Sequence, residues 1–125
     1  KCLKLGKKIP LHNNGTPIRN WLHARDTAEA TITIIESNVK NEIYNIAGGF
    51  EQANVDTVRK VIIGYTEDEN IDFSKYIDLS YSRVGQDVRY ALNDNKLRSL
   101  GWKPKIVFNK VIYSIIQYYK ENFIW

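Results

Sequence analysis

The chain has no methionine, one cysteine, three prolines and seven glycines in 125 residues, and each scarcity excludes something. A single cysteine, Cys2, can form no intrachain disulfide and no cysteine-based metal site, so a reducing compartment, the cytoplasm, is expected. The two histidines, His12 and His23, lack the i, i+4 spacing by which a helix presents a pair to zinc, and no metal site is expected. No apolar run approaches the roughly 20 residues of a membrane-spanning helix, and no signal-peptide pattern is present. The Gly-x-Gly-x-x-Gly turn of a dinucleotide site is missing, as is a phosphate loop ending in Gly-Lys-Ser/Thr; Gly48-Gly49 is only a pair after an apolar run. No nucleophile–histidine–acid set stands out, so no catalytic residue is nominated. Without methionine, Lys1 is not an initiator. The chain is expected to be part of something longer, with Lys1 to Gly6 the last turn and cap of a helix.

What is there is ordinary for a globular chain: 43% hydrophobic and 26% charged residues, enough for one domain spanning 1–125. A net charge of +4 suits an anionic ligand. The lysines are scattered, however, and neither a basic stripe nor an aromatic platform marks a nucleic-acid surface. A non-catalytic basic module for nucleic acid or another polyanion is the alternative of a different class.

The stretch Pro10 to Glu29 is the richest. It holds a proline-led apolar turn, an Asn13-Asn14-Gly15 corner and an extended run, Ile18 to Leu22, that delivers Arg19. Asp26 then stands three residues before Glu29, as in a capping box. The spacing predicts a helix over Thr27 to Ser37 with Ala28, Ile32 and Ile35 on its inner face. Ile43 to Ala47 reads as a buried strand. Asn54 reads as the N-cap of a helix with Val55, Val58, Val61 and Ile62 inward, and Tyr65 to Asn70 as a loop. A strand over Ile77 to Tyr81 is followed by a polar loop, Ser82 to Tyr90, with two arginines. Asn93 caps a short helix carrying Leu97 and Leu100, which ends at Gly101 before Pro104. The last helix has the cleanest stripe: Val111, Ile112, Ile115, Ile116 and Tyr119. Alternating strands and helices argue for α/β packing, as a small mixed lobe of short strands and about four helices.

Several strings occur together and in order. They are Gly6-Lys7-Lys8-Ile9-Pro10-Leu11-His12, Gly15-Thr16-Pro17-Ile18-Arg19-Asn20-Trp21-Leu22, Arg25-Asp26, and Glu42 to Gly48 (EIYNIAG). Two more follow: Arg83-x-x-Gln86-Asp87-x-Arg89-Tyr90, and Lys96-Leu97-x-x-Leu100-Gly101-Trp102-Lys103-Pro104. As a set they resemble the C-terminal, nucleotide-sugar-binding part of the nucleotide-sugar 4,6-dehydratases, the dTDP-glucose 4,6-dehydratases above all, within the extended short-chain dehydrogenase/reductase superfamily. The resemblance covers essentially the whole chain. It implies an enzyme, a homodimer, whose Rossmann half and Tyr-x-x-x-Lys pair lie upstream of Lys1, with NAD bound there and none held by this chain. That enzyme oxidises the sugar of dTDP- or UDP-glucose at C4, eliminates water across C5–C6 and returns the hydride to C6. UDP-glucuronate decarboxylases and 4-epimerases are the close rivals.

The resemblance also implies roles for particular residues. Pro10, Leu11 and His12 match the short strand beside the nucleobase, Asn54 a nucleotide-contacting asparagine, and Arg19 and Arg83 the arginines that flank the diphosphate. The family pattern around Arg83 usually reads Asp-Arg-Pro-Gly-His-Asp; here it is Ser82-Arg83-Val84-Gly85-Gln86-Asp87. Gln86 can hydrogen-bond sugar or phosphate without carrying charge, and Asp87 can pair with Arg89 to hold the loop. Two planar guanidinium groups from separate segments suit a diphosphate because each makes paired, charge-assisted bonds. Trp21 and Tyr44 read as core aromatics, and Trp102 with Pro104 as a structural corner.

Overall fold

The computed structural model describes residues 1–123. Short strands and four helices follow one another in mixed α/β order: β1 (Ile9–Pro10), β2 (Ile18–Asn20), α1 (Ala24–Glu36), β3 (Glu51–Ala53), α2 (Asn54–Thr66), β4 (Ile77–Asp78), α3 (Asn95–Arg98) and α4 (Phe108–Glu121). The strands form two small ladders. β1 runs parallel to β4, and β2 runs antiparallel to β3 with Arg19 opposite Gln52. The N-terminal residues form a single tight turn, Leu3–Leu5, closed by Gly6 in the left-handed conformation.

Two apolar clusters hold this together. Leu11, Ile62 and Ile77 join β1, α2 and β4, and Ala30, Leu97 and Trp102 join α1, α3 and the corner after it. The α2 and α4 stripes match expectation: Ile62, Ile112 and Ile116 are buried, while Tyr119 at the end of α4 stays exposed. The connection from β1 to β2 is tight. Gly15 has φ +69°, and a Cβ there would lie 2.8 Å from Val55 Cβ and 3.1 Å from Val55 Cα, so no side chain fits.

Several expectations are corrected. α1 begins at Ala24, and its N-cap is His23, whose Nδ1 accepts the Arg25 amide at 3.1 Å. Asp26 is no cap. It is 1% exposed, and its two carboxylate oxygens accept the Lys105 and Ile106 amides at 3.1 and 3.0 Å. The Trp102 indole N–H donates to the Asp26 carbonyl, and Glu29 pairs with Lys105 instead of reaching back to a cap. The inner face of α1 is Asp26, Ala30 and Ile34, whereas Ile32 and Ile35 are 51% and 71% exposed. Ala28 is exposed as well. Ile43 to Ala47 belongs to no strand: no ladder forms along it among the described residues, and its neighbours are side chains and a short helix, with Lys96 Nζ donating to the Ile43 carbonyl at 3.0 Å and Asn45 Nδ2 to the Asn93 carbonyl at 3.2 Å. Tyr65 and Thr66 are helical, closing α2. The strand expected over Ile77 to Tyr81 is paired only at Ile77 and Asp78.

The C-terminal end of the unpaired segment is pinned instead by Asp94. Its carboxylate accepts the Gly48 amide at 3.0 Å and both Nε and Nη2 of Arg98, at 2.7 and 3.1 Å. The Arg98 hydrogen bonds, with the Gly48 amide adding to them, hold the carboxyl below its ordinary value of 3.8. A depressed carboxylate stabilises the fold above its unfolded pKa, and that contribution is lost as pH falls through the folded value. Thermal melts should therefore show the wild type losing stability as pH drops below about 4. Asp94→Asn, weaker at neutral pH, should show a shallower acid decline; an equal slope would contradict this role.

Candidate functional site

The candidate residues lie on β1 and the turn after it, on β2, at the start of α2 and on the loop after β4. β2 delivers Arg19. The β2–β3 turn-around brings Asn54 beside the start of β2, with the Asn54 amide bonded to the Pro17 carbonyl at 3.0 Å. Asn54 is the first residue of α2, not its cap, and its side chain makes no capping bond. The cap that would have competed with ligand contact is thus absent.

The loop Ser82 to Tyr90 folds back against β2. Its end is docked by the Ile18 amide on the Val88 carbonyl, 2.7 Å, and by the Ile18–Arg89 bridge. This seats the Tyr90 ring against Arg19, whose guanidinium carbon lies 4.2 Å from the ring centre. Arg19 Nη1 also donates to the carbonyls of Ile18 and Asp87, at 2.7 and 3.2 Å. A cation packed on an aromatic face and tied to two carbonyls loses rotamer freedom, so less is lost when it binds. The Asp87 carboxylate accepts the Tyr90 hydroxyl, a bond that raises the phenol above its ordinary value; the positive charges of Arg19 and Arg83 both act on that phenol in the opposite sense. The loop that carries Arg83 thus returns to the strand that carries Arg19. The pairing expected between Asp87 and Arg89 does not form: Arg89 pairs with Glu51 at 2.8 Å.

The Arg83 segment is exposed, and Arg83 is attached through its backbone. Asn13 Nδ2 donates to the Arg83 carbonyl at 3.1 Å, and the Arg83 amide donates to Asn13 Oδ1 at 2.9 Å. Gln86 is half-buried, and its Oε1 is buried with no donor among the described residues. Pro10 ends β1; Leu11 turns its side chain into the core, 8% exposed, and its amide donates to the Asp78 carbonyl at 2.9 Å. His12 is exposed, its ring edge-on to Tyr81 at 5.8 Å. Sequence reasoning passed over two participants, Tyr90 and Asn13. Tyr90 lies in the Arg-rich loop and had no apolar partner to mark it, whereas Asn13 was read only as a corner.

A separate apolar cavity of about 430 Å³ lies between the β2–α1 junction and α4, lined by Trp21, Leu22, Phe50, Phe108, Val111 and Ile115 among others. Phe50 stacks on Phe108 at 4.9 Å, and Trp21 is tilted against Phe108 at 5.7 Å. Its chemistry does not suit a diphosphate. Among the described residues no cluster of three histidine, cysteine or acidic side chains could hold a metal, and no helix is long and apolar enough to cross a membrane.

The sequence profile described as GDP-mannose 4,6-dehydratase matches residues 2–115. The chain belongs to that family. Within the GDP-mannose 4,6-dehydratase family it is similar to dTDP-D-glucose 4,6-dehydratase of Homo sapiens, 33% identical over 123 residues, which cover 97% of this chain and 35% of the relative. Among solved structures, dTDP-glucose 4,6-dehydratase of Bacillus anthracis in complex with NAD superposes with a TM-score of 0.80 at 32% identity, covering 97% of this chain and 37% of that one. The Streptomyces venezuelae dTDP-glucose 4,6-dehydratase DesIV, with NAD and TYD bound, superposes at 0.83 with 28% identity, covering 97% and 36%. The chain thus spans about a third of the length of the relatives it matches, as the C-terminal part of an extended short-chain dehydrogenase/reductase.

Proposed function

We propose that this chain is the nucleotide-sugar-binding lobe of an NAD-dependent 4,6-dehydratase that converts dTDP- or UDP-glucose to its 4-keto-6-deoxy sugar. The observation that carries the reading is the docking of the Ser82–Tyr90 loop, which holds Arg83, onto the strand that holds Arg19, with the Tyr90 ring packed on the Arg19 guanidinium. In this reading the two guanidinium groups bind the diphosphate, Arg19 already oriented by Tyr90 and the Asp87 carbonyl. Asn54 and Gln86 hydrogen-bond the nucleotide and sugar, and the Asp87 carboxylate keeps Tyr90 in place. Pro10, the Leu11 backbone and the His12 ring form the wall beside the base.

Neither a glycine fingerprint nor a Tyr-x-x-x-Lys pair occurs in this sequence. NAD, which would supply the redox chemistry, belongs to the remaining Rossmann half of the parent protein, as do the acid–base groups. The outward Ile32 and Ile35 of α1, with the exposed Ile43, offer apolar surface for that half to cover. In this reading the parent is a cytoplasmic homodimer. The test is product analysis: the parent protein, given dTDP-glucose and UDP-glucose separately, should yield the 4-keto-6-deoxy sugar from at least one. A 4-epimer, or turnover of UDP-glucuronate to a pentose, would overturn the dehydratase reading and leave the nucleotide-sugar lobe standing.

A further inference from the structure

The loop tip at Arg83 to Gly85 is exposed: Val84 is 99% exposed, and a Cβ added at Gly85, φ +72°, would meet nothing within 4 Å, whereas Gln86 beyond it is half-buried. A cation on such a loop would ordinarily have to be ordered at the moment of binding, with an entropic cost. What orders it is a side chain 70 positions away. The Asn13 carboxamide presents one donor and one acceptor to the peptide of Arg83, as a neighbouring β-strand would: Nδ2 to the carbonyl at 3.1 Å, and Oδ1 from the amide at 2.9 Å. Ser82 Oγ adds a longer bond to the same Oδ1 at 3.4 Å, and the Asn13 amide donates to the Tyr81 carbonyl at 3.0 Å. Asn13 is itself fixed. Its backbone is left-handed, at φ +51° and ψ +47°, a conformation asparagine tolerates, and its carbonyl accepts both the amide and the hydroxyl of Thr16.

We propose that Asn13 is a positioning residue for Arg83, latching the loop by its carboxamide so that the guanidinium is held ready for the diphosphate. This rests on the diphosphate reading of Arg83. The chemistry is selective. Aspartate offers two acceptors and would leave the Arg83 carbonyl facing a carboxylate, while glutamine is one methylene too long for both bonds. Glycine keeps the left-handed backbone without strain and removes only the carboxamide.

The test uses the parent protein, with dTDP and UDP as probes in calorimetric titrations of wild type, Asn13→Gly, Arg83→Ala and the double variant. Asn13→Gly should melt within a degree or so of wild type, yet bind the preferred diphosphate about fivefold more weakly. Asn13→Asp should weaken binding at least as much. In the Arg83→Ala background, Asn13→Gly should have no further effect, because a latch with nothing to position cannot matter. A full Asn13→Gly effect in that background, or unchanged binding by Asn13→Gly while Arg83→Ala weakens it, overturns the latch and leaves the diphosphate reading intact. Unchanged binding by Arg83→Ala overturns both.

Discussion

Asp26→Ala is expected to remove about 2–4 kcal/mol of folding stability, read as a lower denaturant midpoint at unchanged slope. The side chain is almost wholly buried, and both its oxygens are committed to consecutive amides, Lys105 and Ile106, at the strap leading into α4. Truncation removes the acceptor of both amides and empties a wholly buried site, and a buried amide left unsatisfied costs on the order of 1–3 kcal/mol. The carboxylate also opens the first turn of α1, where negative charge is favourable. Asp26→Asn keeps one acceptor but turns an NH2 toward the second amide, so its loss should be smaller than that of alanine. Were Asp26 merely a surface helix cap, alanine would cost about 1 kcal/mol. The size of the loss therefore separates the two roles. It bears on function because α1 follows directly from β2, and the Asp26 tie anchors the element that carries Arg19.

Arg19→Ala in the parent protein is expected to weaken nucleotide diphosphate binding tenfold to a hundredfold, about 1.4–3 kcal/mol. The wild-type guanidinium lies against the Tyr90 ring and spends only Nη1 on the two carbonyls, leaving Nη2 and Nε available. Charge-assisted bonds from those atoms to phosphate oxygens are the strong kind, and little freedom remains to be lost in making them. Arg19→Lys retains the charge without the planar fork and should recover only part of the affinity. Calorimetry with dTDP and UDP checks this. Equal dissociation constants for wild type and Arg19→Ala would remove Arg19 from the site.

How much of this was legible in the sequence differs by element. The α2 and α4 stripes were readable because a single apolar face satisfies the three-four spacing in each. In α1 two overlapping sets satisfy it, Ala28-Ile32-Ile35 and Asp26-Ala30-Ile34, and the real inner one contains a buried acid that no hydrophobic count would choose. The Asp26–Glu29 spacing imitates a capping box, yet both side chains are drawn to residues about 80 positions on, which local pattern cannot reveal. Ile43 to Ala47 has strand composition, but a strand exists only with a partner, and none lies among the described residues. At the candidate site, resemblance singles out the arginines but not the residues that support them, because Tyr90 and Asn13 act across 71 and 70 positions of sequence.

The central claim, that Arg19 and Arg83 recognise a diphosphate, is tested most directly by comparing dTDP with thymidine on the parent protein. Each is titrated into wild type and the Arg19→Ala/Arg83→Ala double variant. Wild type should bind dTDP at least about a hundredfold more tightly than thymidine, and the double variant should lose most of that difference while its affinity for thymidine stays nearly the same. A preference for dTDP that survives undiminished in the double variant would contradict the account.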